Sequence, residues 1–173
     1  MKKVMLLVVV IFALAISLTA TPVKAGELLD GIVPLGQDHV KMTWYMVNCG
    51  RISGTDVPYA VVRKYYTNTG IKDETIELLM SKFGLDSEKA GSLYFTEYIY
   101  NYSTDHKMFS VGYIRHYDMV GILIHGTDYD GYTEATKPTW VNVEAKGPSG
   151  LSLVAARKVL NIPDPSAPAP RKR

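Results

Sequence analysis

The sequence predicts an α+β fold, with a single antiparallel sheet of about five to six strands and two helices packed on one face. Three patterns lead there. Residues 39–48 (HVKMTWYMVN) alternate, with Val40, Met42, Trp44 and Met46 on one side, which marks a strand with an apolar face. Residues 92–102, 107–117 and 122–124 are β-rich runs separated by turns of a few residues, and turns that short join antiparallel neighbours into a meander. Two segments, 73–83 and 148–160, carry helix start and stop signals.

Taken in order, residues 26–38 hold glycine-bounded turns and Pro34 and read as an irregular lead-in. After the 39–48 strand, residues 49–56 form a loop with two glycines, and the Val- and Tyr-rich run 57–68 reads as a strand, with a short helix after Pro58 as the alternative. The helix 73–83 has Asp73 at its N-cap, Glu74 and Glu77 near the positive end, and Gly84 at a left-handed C-cap. Its Ile76, Leu79, Met80 and Phe83 fall at i, i+3, i+4 and i+7, one apolar face. In the strand 92–102, Tyr94, Tyr98, Tyr100 and Tyr102 share a face. Tyrosine keeps its hydroxyl near water, so that face is expected to be partly exposed. Leu93, Phe95 and Ile99, interrupted by Glu97, take the other side. Asp118 opens a turn to Gly121, residues 126–138 are a polar loop, and 139–145 is a last strand. Pro148 and Ser149 start the second helix, with Ser149 as cap, and Pro163 stops it.

Three parts follow: a leader at 1–25, one domain at 26–162 and a Pro-rich basic tail at 163–173. The leader has Lys2 and Lys3 ahead of an uncharged apolar run of 15 residues, then Val23-Lys24-Ala25. That is the pattern of a cleaved export signal, and the run falls short of the roughly 20 residues a membrane span needs. Export to the periplasm, the cell surface or the medium is therefore expected, with no transmembrane span after signal removal. The leader takes three of the 19 basic residues and no acidic one, leaving 16 against 17. The net +2 of the whole chain thus belongs to its ends. The domain between them has no basic stripe, which argues against nucleic acid. Arg171-Lys172-Arg173, on a proline arm, offers weak contact with an anionic surface.

Several side chains are candidates for chemistry. Cys49 is the only thiol, which excludes an internal disulfide and a multi-cysteine zinc site. With one of His39, His106, His116 or His125 it could make a nucleophile pair, and the bland reading is an inert thiol. His116 and Asp118 are two apart on a strand and could act as acid and base, although Asp118 also suits a turn. Asp128, Asp130 and Glu134 resemble a fragment of a calcium loop without its full ligand set. No cofactor motif is present. The tyrosines Tyr94, Tyr98, Tyr100 and Tyr102 suit either a binding platform or cross-strand packing.

From Leu93 onward the chain resembles the bacterial surface-adhesin E family. Ser92-Leu93-Tyr94, Tyr117-Asp118 with Gly121, Trp140, and Pro148-Ser149 occur in that family's order. The resemblance covers about 70 residues, and the cysteine pair common in the family is absent. It implies an extracytoplasmic α+β domain without catalysis and carries over no ligand. The expected function is an exported, non-catalytic binding domain that meets a protein partner or a second copy of itself. The alternatives are a small secreted enzyme using Cys49 or His116 and a small-ligand or calcium-binding module.

Overall fold

The computed structural model describes residues 32–129 and 139–165. Among them seven strands form one antiparallel sheet, joined by three helices. Strands β1 (Val33–Gln37), β2 (Thr43–Arg51), β3 (Pro58–Tyr65), β4 (Phe95–Tyr102), β5 (Met108–Tyr117) and β6 (Leu123–Asp128) lie side by side in chain order. Short β7 (Val141–Asn142) pairs with the start of β5, on the stretch of edge that β6 leaves unpaired. The helices are α1 (Thr69–Phe83), α2 (Ser87–Gly91) and α3 (Pro148–Leu160). Residues 1–31, 130–138 and 166–173, which include the whole expected leader at 1–25 and most of the expected tail at 163–173, lie outside the described residues.

The α+β class is as expected, with differences that have local causes. The lead-in contains β1, which pairs with β2 around a bulge at Leu35. Further bulges fall at Val47, Gly112 and Ile124. Each extra residue bends its strand and increases twist, so the sheet curls. Helix α1 begins four residues before Asp73. Asn68 caps it instead: its Oδ1 accepts from the Gly70 N–H at 3.0 Å, and its amide donates to the Val40 carbonyl at 3.1 Å. Gly84 closes α1 in the left-handed conformation, at φ 68°. Helix α2 was not expected; the Asp86 carboxylate caps it by accepting from the Lys89 N–H at 2.8 Å. In α3 the cap is Gly147, with Pro148 in the first turn, while the Ser149 hydroxyl accepts from the Glu144 N–H at 3.2 Å.

The sheet has two unlike faces. On one, Trp44, Met46 and Cys49 of β2, Ala60 and Val62 of β3, and Tyr100 and Tyr102 of β4 pack under Leu153, Ala156 and Leu160 of α3. This is the main core. A smaller one joins Leu79 of α1, Ala90 of α2, Leu93 and Ile124. Of the expected apolar face of α1 only Leu79 is fully buried, while Met80 and Phe83 stay exposed. The Phe83 ring instead lies 4.2 Å from the ring of His125, over the β6 edge.

The tyrosine face of β4 is therefore not the exposed one. Tyr100 is 6% and Tyr102 1% exposed. Tyr98 is half-buried on the same side, beside Trp44. The hydroxyls are accommodated inside: Tyr102 donates to the Ser149 carbonyl at 2.7 Å and lies 2.8 Å from the Ser152 hydroxyl. Burial pushes the Tyr98 phenol up to about 12 and raises Tyr100 and Tyr102 as well. Replacing Tyr102 by Phe keeps the ring and leaves its two buried partners without the phenol. The expected loss is about 1–2 kcal/mol, read from the urea midpoint at constant slope; an unchanged midpoint would mean that α3 is not tied to β4 there.

Candidate functional site

The opposite face carries the other parity of each strand. Where two strands pair residue by residue, opposed side chains point the same way. Tyr45 of β2 lies next to Tyr65 of β3, Tyr65 faces Phe95 of β4, and Phe95 faces Tyr117 of β5. Their rings form a continuous strip across four strands. Tyr45 and Tyr65 meet edge to face at 5.5 Å, Tyr65 and Phe95 lie tilted at 5.4 Å, and Phe95 stacks on Tyr117 at 4.9 Å. Tyr94, just before β4, adds its ring edge-on to Tyr65 at 5.8 Å and is exposed. Each such pair stabilises the sheet by about 0.2–1 kcal/mol.

One end of the strip opens into a groove of about 650 Å³, walled by Ile32, Pro34, Thr43, Tyr45, Tyr65, Thr67 and Tyr94. That volume lies in the range of small-molecule and peptide side-chain sites. The groove is mostly apolar, with two hydroxyls at its base: Thr43 and Thr67 sit 3.5 Å apart, and Thr67 also donates to the Lys41 carbonyl.

Beside the strip lies a charged row. The Arg63 guanidinium sits 4.7 Å over the Phe95 ring, and its Nε donates to Glu97 at 2.9 Å. Tyr113 donates its hydroxyl to the other Glu97 oxygen at 3.0 Å. Arg115 lies 4.1 Å over the Tyr113 ring and pairs with Asp128 at 3.0 Å. Glu97 is only 8% exposed, so its charge is held by these two partners. Burial works against the Arg63 charge, and Glu97 more than offsets it, so Arg63 ends above the usual guanidinium value. Burial, then the Glu97 charge, holds the Tyr113 phenol well above its ordinary value. This row presents charges and rings that hold one another in place. Its chemistry suits recognition.

The residues singled out from sequence scatter. Of Tyr94, Tyr98, Tyr100 and Tyr102, only Tyr94 reaches the groove. Cys49 lies in β2 with no exposed surface, so no substrate can reach its sulfur without opening the core. His116 and Asp118 do not form a pair. His116 is buried, with Nδ1 2.9 Å from the Thr96 hydroxyl, while the Asp118 carboxylate accepts from the Val120 and Ile122 N–H groups. Burial, then His125, then Lys64 lowers the His116 imidazole to about 4, so it is neutral at pH 7. Asp128 is engaged by Arg115, and Asp130 and Glu134 lie outside the described residues. Among the described residues no three His, Cys, Asp or Glu side chains gather to hold a metal ion. Nor is any described helix long and apolar enough to cross a membrane.

Tyr45, Tyr65, Phe95 and Tyr117 were missed by sequence reasoning. Their signal in the sequence is Glu97: a charged residue between Phe95 and Ile99 marks the side away from the helices rather than breaking an apolar face. No family model matches the chain, and no curated protein or solved structure matches it either.

Proposed function

We propose that the chain is an exported, non-catalytic binding domain that engages a protein partner through the strip of Tyr45, Tyr65, Tyr94 and Tyr117, whose rings pack around the buried Phe95. One observation carries the reading: the rings run unbroken over the sheet face opposite α3 and end in an open groove. Tyrosines supply large contact area at low entropic cost and are enriched among residues that dominate binding energy. The arginines alongside add charged contacts whose positions Glu97 and Asp128 already fix. The burial of Cys49 and His116 supports binding over chemistry, and the leader at 1–25 supports export. The resemblance to the surface-adhesin E family belongs to the same proposal.

The test is a pull-down from the native envelope extract with the exported protein as bait, against a Tyr45→Ser/Tyr94→Ser double variant. Both residues line the groove, and the Tyr65–Phe95–Tyr117 stack is left intact. Loss of two such anchors weakens binding by about thirtyfold or more, while the melting temperature falls by a few degrees at most. Equal recovery by both proteins would remove the strip from the interface.

A further inference from the structure

The turn between β5 and β6 carries the most exposed apolar side chains of the described residues. Met119, Val120, Ile122 and Leu123 are 74, 75, 64 and 50% exposed. No charged side chain lies between Asp118 and His125. Scattered surface apolar residues are ordinary, but four within five positions at a hairpin tip mark a contact site.

Several backbone groups of this tip are already paired within it. The Asp118 N–H donates to the Ile122 carbonyl at 3.1 Å and the Gly121 N–H to the Asp118 carbonyl at 3.2 Å. One Asp118 carboxylate oxygen accepts from both the Val120 N–H at 2.9 Å and the Ile122 N–H at 2.8 Å. Gly121, at φ +85°, makes the closing turn without strain. The N–H groups of Val120, Gly121 and Ile122 are thus paired inside the turn, which removes part of the cost of entering hydrocarbon. A protein surface would make no such demand, since it can supply the missing hydrogen bonds. Behind the tip, Leu123 pairs with Tyr117, whose ring begins the aromatic strip. Tyrosine is enriched at the depth of lipid headgroups.

We propose that the β5–β6 tip is a lipid-inserting finger that seats the domain on the surface of a bilayer, with Met119, Val120 and Ile122 in the acyl region and Tyr117 at headgroup level. The insertion is apolar, so neutral lipid suffices. The finger rests on the exposed apolar tip and the strip on its ring contacts; they share Tyr117, and the triple tip variant separates them because it leaves every ring of the strip in place.

The test uses the protein purified after export and flotation with phosphatidylcholine vesicles. The wild type floats with the vesicles. Adding phosphatidylglycerol or salt changes its partitioning by less than about twofold, because screening acts only on charge. A Met119→Ser/Val120→Ser/Ile122→Ser variant partitions about a hundredfold less, each lost side chain removing apolar area from the bilayer. A Val120→Trp variant reports the site itself: its emission shifts to the blue on vesicles and is quenched by brominated phosphatidylcholine. Failure of the wild type to float, equal flotation of the triple variant, or unshifted Trp emission would each overturn the proposal. So would binding that requires phosphatidylglycerol and vanishes in salt, which would move the contact to the basic tail. A triple variant that loses a concentration-dependent dimer but keeps its vesicle binding would assign the tip to a second copy of the chain.

Discussion

Between about pH 6.5 and pH 4 the fold will lose about 3 kcal/mol through one side chain, His116. Its imidazole is 8% exposed, and its neighbours disfavour the charged form: Lys64 of β3, and His125 of β6 at a ring distance of 6.3 Å. Thr96 of β4 meets its Nδ1, and Phe83 of α1 covers His125. The folded value near 4 lies below the ordinary 6.5 of the unfolded chain. Protons therefore bind the unfolded state first as pH falls. The stabilisation is whole above about 6.5, declines through the interval and is gone below about 4. The interval of about 2.5 pH units sets the size, at about 1.4 kcal/mol per unit. Urea unfolding at the two ends of the window measures it. Carboxylates titrate in the same range, so the decisive quantity is the difference from His116→Gln, whose stability should change with pH by about 3 kcal/mol less. Equal changes in both proteins would mean that His116 is charged in the fold or exposed by local opening.

The second large effect is at Gly150, in the first turns of α3. A Cβ there would fall 2.8 Å from the Ala145 Cα and closer still to the Glu144 carbonyl oxygen. Both are backbone atoms of the turn that launches the helix, so no side-chain rotation relieves the clash. Alanine is the better helix former by about 1 kcal/mol, which opposes the clash. Overpacking costs about 1–3 kcal/mol, and contact with backbone atoms alone puts this site at the upper end, so Gly150→Ala should destabilise by about 2 kcal/mol net. Gly91, at the end of α2, has no heavy atom within 4 Å of its would-be Cβ. Gly91→Ala is the control, with an expected change between zero and about 1 kcal/mol of gain. Matching effects at the two positions would contradict the close approach of α3 to residues 144–145.

These contrasts define how much of the molecule was legible. The apolar side of β2 and of its approach was, because Met42, just before the strand, alternates with Trp44 and Met46 in it and all three are buried. So were the end of α1, where Gly84 supplies a conformation others resist, and the turn role of Asp118, whose carboxylate has two amides within reach. The sidedness of β4 was not. Four tyrosines on one face look amphipathic, and what buries them is distant: Tyr102 bonds to Ser149, 47 residues later, which no local pattern reveals. The bulges were equally silent. Leu35, Val47 and Ile124 are ordinary strand residues, and each shifts register by one without a mark in the sequence. The strip was lost for the same reason, since Tyr45, Tyr65, Phe95 and Tyr117 align only once pairing and sidedness are known. Helix α2, five residues long, was too brief for a periodic signal.

The central claim is that partners meet the strip and not the helical side. Site-specific photo-crosslinking in the native cell tests this most directly, with a benzophenone side chain at Tyr65 in one protein and at Val154 in another. Val154 is exposed on α3, on the opposite side of the sheet. A discrete heavier adduct is expected from position 65 and none from position 154. An adduct from position 154 with none from position 65 would contradict it.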